Sequence, residues 1–153
     1  MTRQEMLDRL LASKLTGIDR SKGTLHLTFN DGEEISLHVH CSWRLLVGHT
    51  YRLVRSDIFT QPEGQEYDEN FDWDMKGSNR FDCCVTDLEK ELPLTVHAVQ
   101  LSDENDLVIE FDKESLLRVF SNQAQDVEAW CLFDDCSDPP YLVALGRSLE
   151  EQL

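Results

Sequence analysis

Three histidines are the residues whose types and spacing come closest to a reactive group. His26 lies between Leu25 and Leu27, and His38 and His40 interleave with Leu37 and Val39. In two paired strands this alternation puts all three imidazoles on the face opposite the leucines, with His26 beside or diagonal to His38. Cross-strand Cβ atoms lie about 4.5–5.5 Å apart. Two imidazoles at that distance can share a zinc ion, with His40 as a third ligand. The chemistry would be that of a small metal-dependent enzyme. The other reading of the same residues is a polar strand face turned to water.

The remaining candidates point away from catalysis. Cys83 and Cys84 are adjacent, and Cys131-x₄-Cys136 misses the C-x₂-C spacing of a zinc ribbon. Five cysteines is an odd number without framework spacing, so reduced thiols in a cytoplasmic protein are expected. A third group is acidic and aromatic: Asp68, Glu69, Asp72 and Asp74 surround Tyr67, Phe71 and Trp73. Aromatic side chains anchor protein interfaces, and carboxylates around them raise the on-rate of a basic partner. Asp72, Asp74 and Gly77 fit positions 1, 3 and 6 of a calcium loop, but Cys83 stands where the bidentate carboxylate belongs. Arg44, Arg52 and Arg55 form a fourth group, and the many carboxylates of the chain are their expected partners. The sequence holds no phosphate-binding glycine loop, nucleophile elbow or H-E-x-x-H helix. No cofactor is implied.

Charge narrows the partners. The chain of 153 residues has 14 Lys+Arg against 30 Asp+Glu, a net charge of −16. Residues 1–59 are nearly neutral at +1, residues 60–92 carry −7 and residues 93–153 carry −10. A nucleic-acid binder needs a basic stripe to replace phosphate counterions, so nucleic acid is not an expected partner. An anionic membrane surface is disfavoured for the same reason. No stretch approaches the ~18 apolar residues of a membrane span, and Met1–Met6 has no apolar run of a signal peptide. A basic protein partner fits this balance.

The elements that must position these groups show a repeated plan. Thr2 with Glu5 reads as a capping box. Met6, Leu7, Leu10, Leu11 and Leu15 follow at helical spacing, predicting a helix at about residues 3–14 that Gly17 breaks. Leu25, Leu27 and Phe29, the turn Asn30-Asp31-Gly32, and Ile35, Leu37 and Val39 predict a β-hairpin with one buried face. Trp43–Leu46 and Tyr51–Arg55 predict two more strands. Downstream, Thr86 with Glu89 is a second capping box. Phe81, Cys84, Val85, Leu88 and Leu92 form a helical stripe that Pro93 ends. Leu94, Val96 and Ala98 begin a strand. Leu107, Ile109, Phe111, Leu117 and Val119 then repeat Leu25, Leu27, Phe29, Ile35 and Leu37 at an offset of 82 residues. Trp130-Cys131-Leu132 repeats Trp43-Arg44-Leu45 at an offset of 87, and Tyr141-Leu142-Val143 matches Tyr51-Arg52-Leu53 more loosely. Val108 and Phe120 replace His26 and His38, so a histidine site would belong to one half only. Trp43 and Trp130 at matching positions are expected in the core.

The pattern Leu25, Leu27, Phe29, Asp31-Gly32 and Ser42-Trp43, with Leu107, Ile109, Phe111 and Glu128-Ala129-Trp130, resembles small bacterial proteins grouped as domains of unknown function. Lys113-Glu114 stands where the second turn glycine would be. Some such small acidic proteins look like immunity partners of bacterial toxins, and the resemblance brings no catalytic residues with it.

The predicted fold is α+β, with antiparallel sheets from two pseudo-duplicated helix-plus-β-hairpin halves sharing one core. Residues 1–153 form a single domain: pseudo-repeat 1 at about 1–57, an acidic loop at about 58–79 and pseudo-repeat 2 at about 80–148. The leading expectation is a non-catalytic acidic protein-binding module, concretely an immunity-type antagonist of a basic toxin. Its site would be Asp68, Glu69, Phe71, Asp72, Trp73 and Asp74. The alternatives are a metal-dependent enzyme using His26, His38 and His40, and a structural homo-oligomer subunit.

Overall fold

Strict alternation of apolar and polar residues commits most of the chain to strands with one buried face. The computed structural model describes residues 3–48, 51–62, 70–122, 127–134, 142–145 and 149–151. In chain order the first elements are α1 (Arg3–Leu11), β1 (Lys14–Ser21), β2 (Thr24–Asn30), β3 (Glu34–Val39), β4 (Ser42–Val47) and β5 (Tyr51–Val54). A 3-10 turn (Arg55–Phe59) and α2 (Arg80–Glu89) follow. The last are β6 (Leu94–Leu101), β7 (Leu107–Phe111), β8 (Leu116–Phe120), β9 (Glu128–Asp134), β10 (Leu142–Leu145) and β11 (Leu149–Glu151). The eleven strands form one antiparallel sheet in the order β11-β10-β9-β3-β2-β1-β6-β7-β8-β4-β5, so the class is α+β.

The sheet has two wings. β1 meets β6 only at Lys14↔Thr95 and Leu15↔Leu94. Beyond those pairs the wings fold over one another. Phe29 on β2 and Phe111 on β7 stack with ring centroids 6.4 Å apart, although β1 and β6 lie between them in the sheet. Leu25, Leu27, Ile35 and Leu37 from one wing and Leu107, Ile109 and Leu117 from the other are fully buried in one core. Each such side chain contributes about 1.5–3 kcal/mol by leaving water. Trp43 and Trp130 are buried there too, as their matching positions predict.

The strands of residues 1–57 do not stay together. β4 and β5 lie on the far wing, against β8, while β9 and β10 lie against β3. The chain therefore changes wings at residues 40–41 and again between β8 and β9. The first of these changes is tied to β9: the Ala129 carbonyl accepts from the N–H of His40 at 2.8 Å and of Cys41 at 3.2 Å.

Three local expectations are corrected. Gly17 does not stop a helix; it lies within β1 at a bulge, where the register with β2 shifts between Leu15 and Gly17. The first helix ends at Leu11 instead, because Ser13 turns back and bonds the Leu10 carbonyl through its hydroxyl at 2.6 Å. Thr86 is inside α2 rather than at its start. The N-cap is Asn79, whose Oδ1 accepts from the Asp82 N–H at 2.8 Å. The Asn30-Asp31-Gly32 turn forms as predicted, with Gly32 at φ +118° and its N–H bonded to the Asn30 side chain at 2.8 Å.

Candidate functional site

The second half of the acidic aromatic segment, residues 70–79, is a strap tied to β1 and α2. Its turns are local: Asp72 Oδ1 accepts from the Asp74 N–H at 2.9 Å, and Ser78 N–H donates to the Met75 carbonyl at 3.1 Å. Its anchor is Arg20. Alternation along β1 puts Arg20 on the same buried face as Ile18, and its side chain is inaccessible to solvent. It donates through Nε to Asp82 Oδ1 at 2.8 Å and through Nη2 to Asp82 Oδ2 at 2.7 Å. The same guanidinium bonds the Met75 carbonyl at 3.1 Å and the Lys22 carbonyl at 2.9 Å. Asp82 also accepts from the Gly77 N–H at 2.8 Å. Lys76 reaches across to the Asp19 carboxylate and the Arg20 carbonyl.

A buried charge pair is tolerated only when its remaining donors and acceptors are met, and here they are. Burial alone would raise the pKa of Asp82. The bonds from Arg20 and Gly77, with the charges of Arg20 and Lys76, reverse that and hold it below the ordinary carboxylate range. The Asp82 hydrogen bond in turn raises Arg20.

This bracing leaves an apolar surface outside. Trp73 is 37% exposed and Met75 61% exposed, with Asp72 and Asp74 open to solvent beside them. Phe71 is half-buried and meets Trp73 edge to face, centroids 4.5 Å apart. The structure thus brings Phe71, Asp72, Trp73 and Asp74 together on one strap; Asp68 and Glu69 lie outside the described residues.

The histidines are brought near one another but do not converge on a point. His26 and His38 are cross-strand partners whose rings stack face to face, centroids 3.7 Å apart and 5° from parallel. Stacked faces direct the ring nitrogens outward from the stack's edges, not toward a shared ligand position. His38 meets Phe133 edge-on at 4.8 Å. His40 is engaged elsewhere, through Nδ1 with the Thr24 hydroxyl at 3.1 Å and through Nε2 with Glu128 at 2.6 Å. Among the described residues no three His, Cys, Asp or Glu side chains are arranged to hold a metal ion. Burial keeps His26 below the ordinary histidine value, against the pull of Asp19. No family model, curated protein or solved structure matches the chain.

Cys41 and Cys131 are not set up as nucleophiles. Cys41, Cys83, Cys84 and Cys131 are free. Burial pushes Cys41 up to about 11, and burial with the nearby Glu128 pushes Cys131 up to about 12. A nucleophilic thiol needs the opposite shift. A concavity of about 600 Å³ between α1 and β6 is lined by Leu7, Leu11, Val99 and Leu101 beside Arg3, Gln4 and Asp8, and holds none of the candidate residues.

The arginines depart from expectation. Among the described residues Arg44, Arg52 and Arg55 make no ion pair. Arg44 lies over the Phe120 ring at 5.2 Å and Arg55 over the Phe59 ring at 5.1 Å. The chain's carboxylates serve other cations: Arg9 takes Asp31 and Asp134, and Arg80 takes Asp57. The Arg20–Asp82 pair escapes sequence reasoning, since 62 residues separate its members. Its one sequence signal is an arginine at the apolar parity of β1.

Proposed function

We propose that the chain is a non-catalytic, cytoplasmic protein-binding module that docks a basic protein through the strap. The observation that carries this reading is an exposed Trp73, flanked by open carboxylates, on a backbone fixed by a buried, fully bonded arginine. An anchor already ordered loses little freedom on binding, and desolvating a tryptophan at an interface centre is the usual source of binding energy. Carboxylates of residues 63–74 steer the cationic partner. The immunity-type antagonist of a basic toxin is the concrete form, in which the strap occludes the toxin's cationic surface. That no helix of the described residues is long and apolar enough to cross a membrane is compatible with this reading.

The module is a duplicated helix-plus-hairpin unit in which the halves have exchanged their last two strands. The strand order supports this. Exchanging β1–β5 for β6–β10 in turn reverses the order of those ten strands and leaves it otherwise unchanged. Trp43 on β4 and Trp130 on β9 take matching places under that exchange.

The test is an affinity pull-down with full-length protein at low and high salt, followed by binding measurements on the partner recovered. A stoichiometric, salt-sensitive basic partner is expected, and Trp73→Ala should cost at least ~2 kcal/mol of affinity. Unchanged affinity in that variant rejects Trp73 as the anchor. An acidic or salt-insensitive partner rejects the docking mode.

A further inference from the structure

Among the described residues, the outer face of the β8–β4–β5 wing carries three arginines without an ion pair. On it Arg44 stands directly opposite Arg118, and the neighbouring row runs Leu116, Leu46, Arg52. These five residues, with Leu45, line a groove of about 220 Å³. Like charges opposite one another on paired strands repel. In a chain with 30 carboxylates and 14 Lys and Arg, such a cluster is the opposite of what random placement gives. The only carboxylate that the strands put on this face, among the described residues, is Glu110, diagonal to Arg118, and it makes no ion pair with it.

A second observation adjoins the first. The groove continues past Arg44 into a hollow of about 270 Å³ lined by Ser42, Trp43, Arg55, Ser56 and Phe120. One donor of its lining residues, Arg55 Nε, is buried without a hydrogen-bond partner among the described residues. Buried donors are nearly always satisfied, and an exception calls for an ion, water or ligand. The groove and hollow together are rich in donors and carry guanidiniums in a fork geometry suited to tetrahedral oxyanions.

We infer that this groove binds a phosphoryl group, seated between Arg44 and Arg118 with Arg52 at its rim. The net charge of −16 does not forbid it. At physiological ionic strength charges are screened over ~8 Å, so a small anion in the groove responds to the arginines around it. A long polyanion would meet the acidic remainder of the surface.

Calorimetric titration of the full chain with inorganic phosphate, pyrophosphate and a nucleoside diphosphate, at matched ionic strength, tests this. Saturable binding of at least one is expected, weakened about tenfold by Arg44→Gln or Arg118→Gln and unchanged by Lys14→Gln on β1. Equal binding of pyrophosphate and the diphosphate assigns a free anion. Tighter binding of the diphosphate assigns a phosphoryl group on a larger molecule. No saturable binding, or binding indifferent to both arginines, overturns the site. Thermal melting of the ligand-free variants gives an independent reading. Relief of repulsion should leave the melting temperature unchanged or raised, and a clear fall would make the arginines structural and overturn the proposal.

Discussion

The outer faces of the two wings treat charge in opposite ways. On the β1–β2–β3–β9 wing polar side chains find one another: Asp19 holds Lys76, His40 bridges Thr24 and Glu128, and His26 stacks on His38. On the β7–β8–β4–β5 wing Arg44 faces Arg118, and among the described residues neither has a carboxylate partner. The inner faces differ in the same sense at their tryptophans, Trp130 with its indole N–H bonded and Trp43 with it unpaired. Two surfaces of similar strand geometry thus differ in whether the chain satisfies itself. The self-satisfied wing braces the strap. The other wing turns its unpaired arginines to solvent.

The largest effect that would test this contrast lies at Arg20. Asp82→Ala leaves its guanidinium buried and unpaired, and should cost about 3–5 kcal/mol in urea unfolding. A loss under 1 kcal/mol would mean that the strap is not braced there. The bracing should also fail in acid. Asp82 has its pKa depressed on folding, so its contribution is complete above the ordinary aspartate value, near 3.9. It is lost as pH falls below that through the folded value. Asp82→Asn should flatten the acid limb of stability against pH, and an unchanged limb would assign it to other carboxylates such as Asp31, which Arg9 also depresses.

The tryptophan pair gives a middle-sized effect. Trp130→Phe removes the indole donor to the Asn105 carbonyl, whereas Trp43→Phe removes a donor without a partner among the described residues. With the volume loss common to both, the first should cost about 1–2 kcal/mol more, and equal losses in denaturant melts would erase the distinction. Smaller still, Glu128→Gln should cost under ~1 kcal/mol, because its bond to His40 is half-exposed. The smallest effect belongs to the other wing: Arg118→Gln should change stability by no more than about 0.5 kcal/mol, in the stabilising direction.

Local pattern carried the sequence reading where the physics is local. Leu25, Leu27 and Phe29 with their turn and return strand gave the β2–β3 register, because alternation and an Asn-Asp-Gly turn leave few alternatives. Both tryptophans were legible as core. Asn79 gives a weaker cap signal than Thr86 with Glu89, the commoner motif, and Gly17 is ambiguous because a bulge and a helix stop use the same residue. The placement of β4 and β5 on the far wing has no local signature, since which sheet edge a strand joins depends on partners far along the chain. The strap was legible in composition. Its anchor was visible only as one arginine out of place, and the wing-wide lack of partners for Arg44 and Arg52 ran against composition altogether.

The placement of β4 and β9 on opposite wings from the strands before them has a consequence for how the chain is made. During vectorial synthesis β4 and β5 emerge long before β8, the edge they will join, and the outer edge of β3 waits for β9. Until β8 and β9 emerge, the edges of β4 and β3 that they will cover stay open. Pairings of such sequence separation slow folding, and the strand Ser42–Val47 spends that interval exposed to any neighbouring copy with a free edge.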